Sequence, residues 1–369
     1  MNKKIIYLSN SIIPSKFANS VHVLRMCQAF QKSGYAIELL CYTTTENIKS
    51  YEVLEKYGIK NKFEINFIFI KTQKAKFFLN FFKIFSFLFF NQRNSLIYGR
   101  DPYSVYLAAL MGYKVCYESH GIPISKLFKF VERKLYSHSR LQKFIVISSK
   151  LRELYLKKNI LDGSKEIKVL HDAADPIDST KATNLGPGIN VGYVGSLYYE
   201  GRGIDIILEI AKERLDINFH LVGGNKEELD YWSQNSSKNI FFHGYVDNSL
   251  VGEYLKAFDI VLMPYQLDLN LAGMKYNTVE WMSPMKMFEY MSAECAIISS
   301  DLPVIREILN ENNSLLVDPS NVEEWGEAID TLSRSAEMIK KISSQAKIDF
   351  ENKHTWIKRS DSLDLGQYF

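Results

Sequence analysis

The stretch Ser283–Asp301, SPMKMFEYMSAECAIISSD, decides how this chain is read. A proline opens a helical segment in which Lys286 and Glu289 fall about one turn apart, and the apolar run Ala296–Ile298 follows as a strand that ends in Ser-Ser-Asp. Residues at i and i+3 share a helix face, so one turn presents a cation and a carboxylate to the same ligand. That pairing suits a nucleotide: the ammonium and the helix N-terminus for its phosphates, the carboxylate for its ribose hydroxyls. Taken alone, Glu289 reads more readily as a helix-surface charge, so the weight rests on what surrounds it.

Working outward, apolar strand-like runs alternate with amphipathic stretches along the whole chain. IIYL leads to a helix at Ser20–Ser33, closed by Gly34, and then to AIELLCY. SLIYG, a helix at Tyr103–Met111 closed by Gly112, KVCYE, the Phe128–Ser137 helix, KFIVI, the Lys150–Lys158 helix and IKVL complete a first series. Between Asp175 and Gly188 the pattern lapses into PIDSTKATNLGPG, the composition of a linker. A second series starts at once with INVGYVG, the Ile204–Leu215 helix, NFHLVGG, the Glu227–Gln234 helix, NIFFHGYV, the Ser249–Ala257 helix and DIVLMPY, ahead of the opening stretch and SLLVDP. Such alternation builds βαβ units on a parallel sheet. The expected fold class is α/β: two tandem Rossmann-like, doubly wound domains facing across a cleft, with ligands at the carboxyl ends of the strands. The expected boundaries are 1–176 for the first domain, 177–188 for the linker, 189–350 for the second domain, and 351–369 for a C-terminal segment that packs back on the first.

Bulk properties agree. The 369 residues exceed the size at which single cores stop growing, about 250–300 residues, and 46% hydrophobic content supplies more than one core. A net charge of +3 is too small for a nucleic-acid-binding chain. Cys27, Cys41, Cys116 and Cys295 are scattered without metal or redox spacing and read as buried apolar residues of a reducing compartment. Lys3 and Lys4 precede only IIYL, too short a run for a secretory signal, so a cytoplasmic location is expected.

The second series opens with GYVGSLYYEGRGID, where Gly192, Gly195, Gly201 and Gly203 punctuate a strand-to-helix turn and Arg202 stands just before the helix. Glycines let backbone N–H groups approach an anion, the helix N-terminus adds its dipole, and the guanidinium fork matches phosphate. The spacing is neither a dinucleotide fingerprint nor a Walker A loop. Together with Lys286 it makes a pyrophosphate clamp.

GYVGSLYYEGRGID, HLVGG, HGYV and SPMKMFEYMSAECAIISSDLPVIREIL, in this order, resemble the nucleotide-binding half of the retaining glycosyltransferases of family 4, which have the GT-B fold. ESHG at Glu118–Gly121, VISSKLRELY at Val146–Tyr155 and HDAAD at His171–Asp175 extend the resemblance over essentially the whole chain. It implies transfer of a hexose from a nucleotide sugar with retention, no metal or other cofactor, and a glycan or lipid-linked acceptor in surface polysaccharide synthesis, such as capsule or lipopolysaccharide. Carried over by residue, Arg202 and Lys286 bind the donor diphosphate at the Gly195–Ser196 turn and Glu289 binds the ribose. The backbone of Gly244, Tyr245 and Val246 holds the base. His120 touches the donor sugar from the acceptor domain and joins Arg202 and Lys286 in the catalytic set. Glu118, Ser20, His171 and Glu280 are further candidates for sugar or acceptor contacts. Three departures stand out. Trp281, with Glu280 beside it, replaces an earlier Glu, as in an SPxK-type subgroup. Ser196 replaces an Arg, and PSKFANS replaces the usual glycine-rich first loop.

Among the seven histidines, His120 is singled out because it follows the strand KVCYE. His171 also ends a strand, whereas His22, His138, His220, His243 and His354 read as structural. Glu118 reads as orienting His120 or lining the acceptor pocket, and Asp101 in GRDP as a helix cap. KAKFFLNFFKIFSFLFFNQR, Lys74–Arg93, is apolar over about fourteen residues, too few to span a bilayer, with Asn80, Lys83 and Ser86 as one narrow polar stripe. It is either a core helix or an interfacial helix whose Lys74, Lys76 and Arg93 meet anionic head groups on the inner face of a membrane. Three alternatives remain on the same scaffold: a nucleotide-sugar epimerase, a non-catalytic nucleotide-binding relative and a dehydrogenase, the last disfavoured by the missing G-x-G-x-x-G.

Overall fold

The computed structural model describes residues 3–71, 79–91, 94–177, 181–267 and 277–369. The expected anchors Lys74, Lys76 and Arg93, part of the linker (178–180) and residues 268–276 lie outside these. The chain divides into two units, Met1–Asp172 with Trp356–Phe369, and Ala173–Thr355. The first crossing precedes the Pro-rich stretch because Ala174 already bonds within the second unit, its N–H donating to the carbonyl of His354 at 3.1 Å.

In the first unit the elements run β1 (Lys4–Ile12), α1 (Ala18–Lys32), β2 (Ala36–Thr43), α2 (Ser50–Lys56), β3 (Glu64–Phe69), α3 (Leu79–Phe90), β4 (Leu96–Gly99), α4 (Pro102–Leu110), β5 (Val115–Ser119), α5 (Lys126–Ser137), β6 (Leu141–Val146), α6 (Ser149–Lys157) and β7 (Ile167–Val169). All pairings are parallel, in the order β3-β2-β1-β4-β5-β6-β7. The strands are near-continuous apolar runs because both sheet faces are covered; Ile5, Ile6, Tyr7, Ile97 and Tyr98 are completely buried. Asp101 caps α4, accepting from the Ser104 N–H at 3.0 Å, with Pro102 in the first turn. Gly34 and Gly112, the helix closers, have φ of +90° and +95°. The helix α2 and the strand β3 were absent from the sequence reading. The last helix, α13 (Trp356–Asp361), packs on α1.

The second unit repeats the plan with β8 (Asn190–Val194), α7 (Ile204–Glu213), β9 (Asn218–Val222), α8 (Lys226–Ser233), β10 (Ile240–Gly244), α9 (Asn248–Leu255), β11 (Ile260–Met263), α10 (Met285–Ala293), β12 (Ala296–Ser300), β13 (Leu315–Val317), α11 (Val322–Ser333) and α12 (Ala336–Lys353). Its sheet is parallel, in the order β10-β9-β8-β11-β12-β13. One core lies under α9, α10 and α12 and the other under α7 and α11. The order reverses between β8 and β11, the point where ligands settle in such sheets. All four cysteines are buried and unpaired. Among the described residues no helix is long and apolar enough to cross a membrane.

Candidate functional site

In the second unit, the loops after β8 and β11 converge. Gly195 directly follows β8 and has a φ of +152°; a Cβ there would stand 2.7 Å from the Lys286 ammonium, so glycine lets that side chain lie against the backbone. Lys286, in the first turn of α10, projects over Tyr193 with its Nζ 3.9 Å from the ring centroid. Arg202 lies 5.6 Å from the Tyr198 ring and 5.4 Å from Tyr265, and Lys286 lies 5.3 Å from Tyr265, so one ring carries both cations. Arg202 Nε is buried with no acceptor among the described residues. Burial, then the Arg202 charge, hold the Lys286 pKa well below the ordinary lysine value, with Glu289 opposing them. The helices flanking this spot, α7 and α10, start without side-chain caps, at Gly203 (φ +68°) and Pro284. Two cations and two uncapped helix N-termini make this a candidate anion site.

The remaining predicted residues of this unit divide. Ser196 is half-buried, and its carbonyl accepts from the Tyr193 hydroxyl at 2.9 Å. The Gly244 carbonyl accepts from the Gly223 N–H at 2.7 Å, which ties the end of β10 to the end of β9; Tyr245 is exposed and Val246 half-buried. Glu280 is exposed, whereas Trp281 is buried at 6% exposure.

In the first unit, Glu118 at the end of β5 is fully buried and is the node of a polar cluster. Its Oε1 faces His120 Nε2 and, at 3.0 Å, His22 Nε2 from α1. Its Oε2 accepts from the Tyr98 hydroxyl and, at 3.1 Å, from Arg359 of α13. His22 Nδ1 lies 2.9 Å from Asp172, and the His22 ring sits edge-on to His120 and Trp356. Arg359 also donates to the carbonyls of His171 (2.7 Å) and Leu170 (3.2 Å). Burial pushes the Glu118 pKa up, but Arg359, His22 and the histidine hydrogen bonds overcome it and hold the carboxyl well below its usual range. Burial, then Arg100, push the His120 pKa down to about 3. His120 is therefore neutral near pH 7, and donation from Nε2 to the ionised Glu118 leaves Nδ1 as the ring's acceptor.

His22, Glu118 and His120 place metal-ligand atoms within 4.8 Å of one another. Arg359 already neutralises Glu118 there, and its fixed charge opposes a divalent ion. Ser20 is buried away from this cluster: its hydroxyl donates to the carbonyls of Ser15 and Phe17 and accepts from Tyr57. Arg359, which completes the cluster, was not singled out from the sequence, and His22 was read there as structural.

Residues 188–335 match the family model described as Glycosyl transferases group 1. No curated protein matches the chain in sequence. Among solved structures, a glycosyltransferase from Rickettsia africae superposes with a TM-score of 0.70 at 15% identity, over 100% of this chain and 98% of the other. The HepE protein of Anabaena in complex with UDP gives 0.70 at 14% identity, over 99% of each chain. The apo lipopolysaccharide outer core galactosyltransferase WaaB gives 0.66 at 13% identity, again over 99% of each. The two parallel-sheet units are thus Rossmann-like domains of the GT-B type. The second unit holds the region that matches the glycosyltransferase family model.

Proposed function

We propose that this protein is a glycosyltransferase of the SPxK-type subgroup of family 4, which moves a hexose from a nucleoside-diphosphate sugar, with retention, onto a glycan or lipid-linked acceptor in surface polysaccharide synthesis, at the inner face of a membrane. The observation that carries the donor assignment is the pair Arg202–Lys286: two cations held on Tyr265 beside Gly195, one with a depressed pKa. Such a site is destabilised by its own charge until a polyanion enters. HepE bound to UDP and to UDP-glucose supports a nucleotide sugar as that polyanion, and WaaB supports an outer-surface glycan as the product.

Departure of the nucleoside diphosphate separates charge, and preorganised cations and helix N–H groups stabilise it without reorganisation. With both cations in place, we assign the reaction no metal. Retention by a carboxylate nucleophile needs a carboxylate close to the anomeric carbon. Glu118 does not suit that role, since both its oxygens are bonded and its charge is matched to Arg359. We assign instead attack on the same face as the departing phosphate, one of whose oxygens takes the acceptor's proton. Glu289 binds the ribose, the backbone of Gly244–Val246 the base, and His120 Nδ1 a sugar hydroxyl.

The test is nucleotide release from UDP-, GDP-, ADP- and TDP-sugars by the purified protein, with and without a membrane lipid extract, and with chelator. Release from one donor, raised by lipid and indifferent to chelator, is expected. Epimerised donor without any acceptor would replace transfer by epimerisation. Binding without release would make the chain a nucleotide-binding relative.

A further inference from the structure

The transfer chemistry makes no use of Glu132. It lies on the inner stripe of α5 with Val131, Leu135 and Tyr136 and is completely buried. A carboxyl in such a stripe is costly unless its oxygens are bonded. Its Oε1 accepts from the Tyr117 hydroxyl of β5 at 2.7 Å, and the Tyr155 hydroxyl of α6 lies 2.8 Å from Oε1 and 3.0 Å from Oε2. Tyr155 also reaches the loop that carries His120. Its hydroxyl stands 2.7 Å from Ser119 Oγ and 3.0 Å from the Gly121 carbonyl, and Ser119 Oγ is 2.9 Å from that same carbonyl. His120 is thus held twice: Glu118 takes its ring, and Tyr155 takes the residues on either side of it.

A phenol has one proton to give. When Glu132 is ionised, its carboxylate is the strongest acceptor in reach and takes the Tyr155 proton. Ser119 is then the one hydroxyl of this group left to donate to Gly121. When Glu132 is protonated, its own O–H donates to the Tyr155 oxygen, and the Tyr155 proton turns to Gly121 or Ser119. Protonation of Glu132 therefore adds one hydrogen bond to the loop. The ionisable groups around Glu132 are few. Tyr117 and Tyr155 touch it; from α4, Tyr103 feels its charge and the cap Asp101 acts on Tyr117. β6 contributes the Phe144 ring, packed on both tyrosines. Burial raises the Glu132 pKa to about 7 against the two tyrosine hydrogen bonds, and among the described residues no cation opposes the rise. The exchange of bonds falls in the neutral range.

We propose that Glu132 is a positioning residue for the Ser119–Gly121 loop: through Tyr155, its proton adds or removes a hydrogen bond that fixes the backbone beside His120. This deepens the reading of His120 as a sugar contact, and it rests on that reading only for its effect on the reaction.

The first experiment is independent of the reaction. NMR follows the ring-nitrogen shifts of isotope-labelled histidine from about pH 6 to about pH 8, with His120→Asn to assign the resonance. The His120 ring keeps its protonation state in this range, its pKa being about 3, so a step near pH 7 reports a change around it. The wild type should show that step. Glu132→Gln, whose amide donates to Tyr155 as the protonated acid does, should hold the low-pH shift throughout, and Tyr155→Phe should lose the step as well. No step in the wild type, or a step that persists in Glu132→Gln as titration of another histidine would leave it, overturns the proposal. The second experiment is the pH profile of nucleotide release. KM for the donor sugar should rise roughly fivefold across the same range, the worth of one neutral hydrogen bond, and stay low and level in Glu132→Gln with kcat little changed. An equal rise in Glu132→Gln overturns the positioning role. A step in the NMR without turnover of any nucleotide sugar would sink the sugar contact of His120 and leave the loop coupling standing.

Discussion

Replacing Lys286 by Met separates a binding role from a structural one. The ammonium lies 3.9 Å from the Tyr193 ring and shares Tyr265 with Arg202, and burial with the neighbouring charge disfavours its ionised form. Methionine keeps most of the side-chain volume and removes the charge. The ligand-free second unit should therefore hold its stability or gain up to about 1 kcal/mol, roughly 2–4 °C for a unit of this size. The nucleotide should respond in the opposite direction. A phosphate charge about 4 Å from the ammonium gains about 4 kcal/mol at an effective dielectric near 20. Desolvation takes back part, and about 3 kcal/mol remains, in line with the loss of one oxyanion donor and roughly 150-fold in affinity or turnover. Melting of the second unit, with and without UDP, GDP and ADP, reads both effects at once. The wild type should be stabilised by one of the three and the variant barely moved. A variant that loses about 2 kcal/mol or more without ligand, yet keeps the wild-type response to nucleotide, would show that Lys286 is structural and sink the anion-site reasoning.

Other predictions concern the first unit and the turn at Gly195. Arg359→Ala strands the buried Glu118 carboxylate and should cost about 3–5 kcal/mol, whereas Glu118→Gln/Arg359→Met should cost far less than the sum of its single changes, as measured by a denaturation cycle. The Glu118 pKa is depressed in the folded state, so its contribution is present above the ordinary carboxylate range and is lost as pH falls through the folded value; Glu118→Gln should flatten the acid limb of the stability curve. Glu132 behaves oppositely. Burial raises its pKa to about 7 against the hydrogen bonds from Tyr117 and Tyr155. Stability is thus fully present below the unfolded pKa of about 4.5 and declines as pH rises toward 7, by up to about 3 kcal/mol; Glu132→Gln should remove that decline in urea titrations across this window. Gly195→Ala puts a Cβ against the Lys286 ammonium and strains a φ of +152°; it should cost about 1 kcal/mol of stability and lower nucleotide affinity in calorimetry as the ammonium is displaced.

The sequence by itself determined the class of fold. Continuous apolar strands alternating with amphipathic helices admit little but a parallel sheet covered on both faces. The stops at Gly34 and Gly112, the cap at Asp101 and the Lys286–Glu289 helix are local matters of φ, hydrogen bonding and helical period, which a short window encodes. β3 escaped because EINFIF, flanked by polar residues, is brief and interrupted by Asn66. The tertiary structure alone decided which distant residues meet. Strand order brings His22 of α1 to Glu118 at the end of β5, and the returning chain sets Arg359 against that same carboxylate, 241 positions away in sequence. From the sequence His22 reads as structural, and nothing local singles out Arg359. The same holds for α3, which from sequence fits either a core or an interfacial helix: of its described side chains, packing buries only Ile84 and Leu88. Periodicity states which residues share a face; the order in which strands pair states what that face will touch. Pairing order is a property of the whole chain's packing, and no local pattern carries it.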